Sequence, residues 1–397
     1  MTDKRLPNDA RHGRGGAADL AEKLELDSSQ YLTIREERAI AKYNRIRMRD
    51  HERSATQSIP QEEYLTTMRN QENVVEFDGL ETHFLTDVGT VKAVNGVSFD
   101  IPLRKTIGVV GESGCGKSVT ALSLTRLIQE PQGQIVGGAV RFQSRDGNCY
   151  NVVKMPRGEM RRIRGKEISM IFQEPMTSLN PVFTIGEQLD EVTLLHEAGA
   201  TAEIAKQRSM DMLQLVGIPN RENVYKSYPH ELSGGMRQRV MIGMALACKP
   251  RLLIADEPTT ALDVTIQAQI LELLRGLKDK TDASIMLITH DLGVIAEMAD
   301  FVVVMYAGKI IEKGTVREIF NDPRHPYTIG LMRSKPTVDK DVEKLYSIPG
   351  QVPNPINMPN HCYFKNRCES CVEACAGVYP PLVQFSETHF AACYRHV

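Results

Sequence analysis

Eight residues, Gly111 to Ser118, have the composition of a loop that binds phosphate. Their sequence is GESGCGKS, with glycine at the first, fourth and sixth positions and a lysine–serine pair at the end. Glycines let the backbone wrap closely around phosphate oxygens with its N–H groups pointing inward. Lys117 can reach the terminal phosphates of a nucleoside triphosphate, and the Ser118 hydroxyl is a hard-oxygen ligand for Mg²⁺. The run therefore predicts a site for ATP and Mg²⁺.

The segments on either side of this loop would position it. Residues 106–110 are an apolar run that predicts a strand, and residues 119–128 predict the helix that follows. The partial positive charge at a helix N-terminus favours an anion there. The predicted ATP-binding residues of the loop are Gly111, Glu112, Ser113, Gly114, Cys115, Gly116, Lys117, Ser118 and Val119.

A second apolar run, at residues 252–255, ends in two carboxylates, Asp256 and Glu257. A buried strand would hold the backbone rigid, so that Asp256 can meet the Mg²⁺ shell. Glu257, one residue on, can orient a water for attack on the γ-phosphate. Because strands often end in acids, the pattern gains its meaning from being paired with the phosphate loop.

A third motif lies between the first two and carries a family resemblance. Residues 232–239 read LSGGMRQR, in which Ser233, Gly234 and Gly235 can offer a hydroxyl and N–H groups at a helix start. In this order the motifs resemble those of ABC-type ATPases, whose LSGGQ signature lies just upstream of the acidic strand. Met236 replaces the usual glutamine. The resemblance implies that this signature grips the ATP held by a partner ATPase.

The resemblance also implies a catalytic set at the ends of predicted strands. Gln173 follows the predicted strand at residues 168–172, and His290 follows the one at residues 284–289. The family places this glutamine near Mg²⁺ and the attacking water, and this histidine at the γ-phosphate. The implied catalytic residues are Glu257, His290 and Gln173. The implied Mg²⁺ ligands are Ser118, Gln173 and Asp256.

Two further positions match family motifs. Asp263 closes the sequence ALD, which matches the D-loop that communicates across the ATPase dimer. Phe84 lies ahead of the phosphate loop at about the distance of the family's adenine-stacking aromatic residue. Val91 in that role, or a core role for Phe84, stays open.

Strands alternate with helices from residue 73 onward, which predicts a largely parallel sheet with covered faces. The resemblance implies an α/β fold: a P-loop ABC ATPase cassette at residues 73–320, with a RecA-like core and an antiparallel β subdomain. A helical subdomain is expected at about residues 174–235. Residues 321–397, rich in proline and cysteine, are expected to form a small separate C-terminal unit.

Residues 1–72 are expected to be an N-terminal extension, disordered at residues 1–18 and helical at residues 31–55. The helix either lies on its own domain or presents a basic strip to a partner or to lipid head groups. The strip comprises Arg38, Lys42, Arg45, Arg49 and Arg53.

Beyond the nucleotide motifs, residues 73–397 resemble ATPases of the dipeptide, oligopeptide and nickel permeases. Six segments carry this likeness: FQEPMTSLNP at 172–181, YPHE at 228–231, ADEPTTALDVTIQ at 255–267, MYAG at 305–308, HPYT at 325–328 and IPG at 348–350. It implies an ABC importer for peptides or related small solutes, with a second, non-identical ATPase subunit. Two membrane-spanning permease subunits and an extracytoplasmic substrate-binding protein would complete it. The stretch after Gln173 would meet the permease's coupling helices.

Five of the eight cysteines lie between residues 362 and 393. Four of them have the spacing of this family's C-terminus, where some members resemble [4Fe–4S] proteins. Four thiolates also suit Zn²⁺, and Cys371 is an additional thiol. The four candidate ligands are Cys362, Cys368, Cys375 and Cys393.

Composition and charge limit the classes of function that we expect for the chain. With a net charge of −2, no tryptophan and 6% aromatic residues, we expect no nucleic-acid partner. No apolar run approaches the roughly 18–20 residues that cross a bilayer, and no signal peptide is evident. We therefore expect a peripheral protein held by permease subunits at the cytoplasmic face of the inner membrane. The alternatives are a non-transport ABC ATPase acting on nucleic acid and a metal- or redox-sensing regulatory ATPase.

Overall fold

The structure is a computed structural model that describes residues 33–55, 59–173, 178–260, 262–334 and 346–397. The expected disorder at residues 1–18, most of the stretch directly after Gln173 and Ala261 of the D-loop sequence lie outside the described residues. No helix within the described ranges is long and apolar enough to cross a membrane.

Strands and helices alternate through the cassette. The strands are β1 (Leu65–Thr66), β2 (Asn73–Thr86), β3 (Gly89–Val97), β4 (Asp100–Pro102), β5 (Thr106–Val110), β6 (Gly133–Gln143), β7 (Cys149–Asn151), β8 (Ile168–Ile171), β9 (Leu252–Asp256), β10 (Ser284–Ile288), β11 (Phe301–Tyr306), β12 (Lys309–Thr315), β13 (Val383–Gln384) and β14 (Phe390–Ala391). The helices are α1 (Ile34–Ala55), α2 (Gln61–Tyr64), α3 (Lys117–Leu124), α4 (Arg157–Ile163), α5 (Ile185–His196), α6 (Ala202–Leu215), α7 (Arg221–Lys226), α8 (Gly234–Leu246), α9 (Val264–Thr281), α10 (Leu292–Met298), α11 (Val316–Asn321) and α12 (Pro326–Arg333).

The central sheet has the strand order β13-β14-β12-β11-β5-β10-β9-β8. The five strands from β11 to β8 pair in parallel. Every residue of β5, β9 and β10 is buried, as expected for apolar strands covered on both faces. Because these strands are parallel, their carboxyl ends lie at one edge of the sheet, where ligands bind in α/β folds. This confirms the predicted α/β class.

The second sheet is antiparallel, with the order β1-β7-β6-β2-β3 and β4 paired to β2. It supplies the β subdomain that the family resemblance implied. Helices α5 to α7 pack together as the helical part, beginning with a capping box in which Thr184 and Glu187 bond each other's backbone N–H. The Asp190 carboxylate joins these helices by accepting from the Ser209 and Tyr225 hydroxyls.

Helix α3 differs from its predicted bounds of 119–128, because it begins at Lys117 and ends at Leu124. The last two residues of the phosphate loop, Lys117 and Ser118, are thus the first two of the helix. The helix stops before Arg126, which adopts a left-handed backbone conformation with φ of 54°. The Arg126 guanidinium donates to the carbonyls of Val152, Val153 and Met155, so a tertiary contact fixes this end.

The expectation of a separate C-terminal unit is not confirmed. Strand β14 pairs with β12, which extends the central sheet into the tail. The ring of Phe364 packs edge-on against Tyr306 of β11 and Tyr327 of α12. The tail therefore shares both a sheet and a hydrophobic core with the cassette.

Helix α1 packs on its own domain through Ile40 and Asn44, both buried. The Asn44 side-chain amide donates to the Thr86 carbonyl at 2.7 Å. The five basic residues of the predicted strip are exposed on the rest of the helix. The helix therefore lies on its own domain. A role for the basic strip in binding a partner or lipid head groups stays a prediction for the exposed face.

Glu312 of β12 supports a stability prediction. Its fully buried carboxylate accepts from the backbone N–H of Arg324 at 2.6 Å and of His325 at 2.9 Å, and lies 2.9 Å from Nε2 of His389. Glu312→Ala should lower the free energy of unfolding by roughly 3 kcal/mol, because it leaves these buried groups unpaired. Urea denaturation measures this, with exposed Glu373→Ala as the control. Equal stabilities of the two variants would contradict the prediction.

Candidate active site at the strand ends

The phosphate loop connects β5 to α3, as its sequence predicts. Gly116 caps α3 with φ of 100°, a conformation that favours glycine. A Cβ atom at this position would lie 2.3 Å from the carbonyl oxygen of Ala93, so a side chain has no room. The loop can therefore present its N–H groups only with glycine here.

Lys117 carries its positive charge inside the loop. The side chain is 6% exposed, and its Nζ donates to the carbonyls of Gly111 at 2.8 Å and Glu112 at 3.1 Å. Both acceptors belong to the loop, so the ammonium group bridges the turn from within. It stands where the phosphates of a nucleotide bound to this loop would need a cation.

Asp256 ends β9 as a buried carboxylate, hydrogen-bonded to the Ser118 side chain. Among the described residues, its Oδ1 has no hydrogen-bond partner. Burial raises the pKa of Asp256, and the charge of Glu257 raises it further, against the lowering effect of Ser118 and Lys117. A buried carboxylate oxygen without a partner, beside a hydroxyl, fits the hard-oxygen ligands of Mg²⁺.

Glu257 is the point at which the predicted catalytic residues meet. Its carboxylate accepts from Nε2 of Gln173 at 3.0 Å and from Oγ1 of Thr260 at 2.9 Å. Nδ1 of His290 lies 3.5 Å from its other oxygen. The backbone is left-handed, with φ of 48°, and its N–H donates to the carbonyl of Ile288. Residues that follow β8, β9 and β10 are thus brought together.

Thr260 is a contact that the sequence reasoning missed. The signal was a hydroxyl three residues after Glu257, within a turn that begins there. Neither feature predicts by itself that the hydroxyl faces back to the carboxylate.

The signature and the D-loop lie beside each other at the starts of two helices. Ser233 caps α8 and its Oγ accepts from the N–H of Met236, while Asp263 caps α9 and accepts from the N–H of Ile266. A Cβ atom at Gly235 would lie 3.3 Å from the Ile266 side chain. Ser233 and Gly234 are exposed. The two motifs thus form one surface that a second subunit can reach.

Phe84 lies in β2, opposite Val91 of β3 on one side and Gly133 of β6 on the other. Its half-buried ring packs over Gly133, because a Cβ there would lie 2.8 Å from the ring edge. Adenine stacking by Phe84 stays a prediction.

The metal centre predicted in the tail is not supported. Among the described residues, no group of three or more histidines, cysteines or acids is arranged to hold a metal ion. Burial, with a smaller contribution from nearby Cys375, Cys393 and Cys368, raises the pKa of Cys362 to about 12. The four thiols are therefore neighbours, but burial favours the protonated form over the thiolate that ligates metals.

Two family models match the chain. The model for ABC transporters matches residues 94–260, which include the phosphate loop and both carboxylates. The model for the C-terminal region of oligopeptide/dipeptide transporters matches residues 311–375.

Solved cassettes share the fold. MJ0796, bound to ADP and Pi, has a TM-score of 0.54 at 24% identity and covers 61% of this chain and 99% of its own. CbiO1 of Clostridium perfringens has a TM-score of 0.51 at 23% identity, covering 66% of this chain and 96% of its own.

Three named relatives align with this chain over most of their own length. The oligopeptide transport ATP-binding protein AppD of Bacillus subtilis is 48% identical, over 81% of this chain and 97% of its own. OppD of the same organism, also named for oligopeptide transport, is 50% identical over 80% of this chain and 87% of its own. The dipeptide transport ATP-binding protein DppD is 48% identical over 81% and 95%. The chain is thus an ABC-type ATPase and belongs to the oligopeptide/dipeptide family of ABC transporter ATP-binding subunits.

Proposed function

We propose that the chain hydrolyses ATP to drive the uptake of peptides or related small solutes through separate permease subunits. The convergence of Gln173, Thr260 and His290 on Glu257, beside the Ser118–Asp256 pair, carries the proposal. The substrate class rests on the relatives that are named for oligopeptide and dipeptide transport.

In the proposed mechanism, Glu257 orients the attacking water and accepts its proton. Gln173 and Thr260 donate to one carboxylate oxygen and hold it in place, which leaves the other facing His290. Lys117 and His290 stabilise charge that develops on the γ-phosphoryl group. Ser118, Asp256 and Gln173 would hold Mg²⁺, which neutralises phosphate charge when bound with ATP.

We propose that the chain works as one half of an ATPase dimer. The exposed signature at Ser233 and Gly234 cannot act on an ATP bound to its own loop in the family's arrangement, and would act on the partner's. Val264, 82% exposed beside Asp263, extends the same surface. We assign this face to a second, non-identical ATPase subunit.

A groove near Gln173 is suited to the permease. A cavity of about 350 Å³ lies between the end of β8 and helix α5, lined among others by Phe172, Val192 and Leu195. Leu195 is 72% exposed, and Phe183 near the start of α5 is 49% exposed. We assign the groove to a coupling helix of one of two permease subunits, which would hold the chain at the cytoplasmic face of the inner membrane. A binding protein outside would deliver the substrate.

The catalytic assignment predicts the effect of Glu257→Gln. The amide cannot accept a proton, so ATP turnover by the assembled transporter should fall roughly 10²–10⁴-fold while ATP binding is retained. Phosphate release and nucleotide binding measure the two effects, with exposed Glu272→Gln as the control. Near-normal turnover would contradict the role of Glu257.

The groove assignment predicts that Leu195→Glu prevents co-purification with the permease subunits, because it places a charge in an apolar contact. ATP binding by the isolated chain should be unchanged. Leu382→Glu, at a 43% exposed leucine of the tail, is the matched control. Normal assembly of the Leu195 variant would refute this docking site.

The [4Fe–4S] cluster is the part of the proposal that rests on the tail alone. Four cysteines with the spacing of this family's C-terminus, none of them in a disulfide, support it. Protein purified without oxygen should contain about four iron and four sulfide per chain, and Cys375→Ser should lose them while Cys248→Ser keeps them. Colourless protein without iron and sulfide would refute the cluster, and about one zinc per chain would identify the alternative.

A further inference from the structure

Glu112, the second residue of the phosphate loop, is not a residue that phosphate binding calls for. A carboxylate beside a triphosphate adds repulsion between like charges. Its backbone is nevertheless part of the loop's frame: its carbonyl accepts from Lys117 and its N–H donates to the Tyr327 hydroxyl at 2.8 Å. The loop therefore needs Glu112 to be both fixed and neutralised.

Arg367 of the tail meets this need. Its two terminal nitrogens donate to the two Glu112 oxygens at 2.9 and 3.1 Å, in a bidentate pair between residues 255 positions apart. A bidentate arginine–carboxylate pair fixes orientation as well as charge. Glu112 thus faces the tail, where its charge is balanced.

Groups of the tail and of β11 hold Arg367 in place. Its Nε donates to the carbonyl of Pro349 at 2.9 Å, and one terminal nitrogen lies 3.3 Å from the hydroxyl of Tyr306. The guanidinium lies 5.8 Å from the ring centre of Tyr306 and 5.9 Å from that of Phe364. The residue is 8% exposed. A cation so buried keeps one geometry, and Glu112 is its carboxylate partner among the described residues.

We propose that Arg367 is a positioning residue for ATP, which neutralises Glu112 and holds it away from the phosphates so that Lys117 and the loop N–H groups face them. The inference rests on ATP binding to this loop and goes beyond the transport role. It also gives a purpose to the tail motifs, since Tyr327 of HPYT and Pro349 of IPG contact Glu112 and Arg367 respectively.

Affinities of the full-length chain for Mg·ATP, measured by calorimetry, test the proposal. Arg367→Gln should weaken binding roughly tenfold, because it leaves the Glu112 charge uncompensated near the triphosphate. Because Glu112 contacts Lys117 and Tyr327 through its backbone, Glu112→Gln should weaken binding less than Arg367→Gln, and the double variant should bind more tightly than Arg367→Gln alone, within about threefold of wild type. Arg367→Lys should bind better than Arg367→Gln, because it keeps the charge. Exposed Arg317→Gln is the control for the loss of one cation.

The double variant separates positioning from folding. Restored affinity in Arg367→Gln/Glu112→Gln supports a role through charge, since the packing of Arg367 is still lost. Equal weakness of the double and single variants, or unchanged affinity in Arg367→Gln, would overturn the proposal. If Arg367→Gln does not fold, as judged by thermal unfolding, Arg367→Lys decides: because it keeps the charge, affinity within about threefold of wild type supports the proposal, and a roughly tenfold loss overturns it. Failure of the wild-type chain to bind ATP would instead refute the nucleotide site itself.

Discussion

Parallel pairing of β5, β10, β9 and β8 is the constraint on which the rest of the structure depends. It brings the carboxyl ends of these strands to one edge, so that one loop from each strand meets its neighbours there. The phosphate loop follows β5, Glu257 follows β9, Gln173 follows β8 and His290 follows β10. A rigid, buried sheet fixes the spacing of these loops, and the turn at Glu257, with its left-handed backbone, gives the carboxylate its direction.

The site also depends on how its buried charges are paired. Lys117 and Asp256 are buried groups of opposite charge near the same loop, where Lys117 donates to loop carbonyls and Asp256 is hydrogen-bonded to Ser118. Glu112, by contrast, is matched by Arg367 in a direct pair. Of these three charged groups in the described residues, Glu112 is the one in a direct ion pair, and its partner belongs to the tail.

The sequence predicted those parts of the site that are local. The phosphate loop, the Asp256–Glu257 pair and the signature each lie within a few residues, and their chemistry depends on spacing along the chain. The α/β class followed from alternating strands and helices. The end of helix α3 could not be predicted from the sequence, because it depends on carbonyls beyond residue 150 that accept from Arg126. The Arg367–Glu112 pair and the β12–β14 pairing were also missed, since they join distant segments. In the tail, the prediction was based on the cysteines, whereas Arg367, next to Cys368, makes the contact with the phosphate loop.

The continuity of the tail with the cassette has an evolutionary consequence. A terminal domain that only adds a function can be lost, gained or exchanged between paralogues without harm to the ATPase. Here a cut after β12 would remove Tyr327 and Phe364, which pack on the ring of Tyr306, and would also remove the counter-ion of Glu112. We expect the second residue of the loop and the tail arginine to change together across relatives, so that chimaeras between branches inherit a mismatch unless both are transferred.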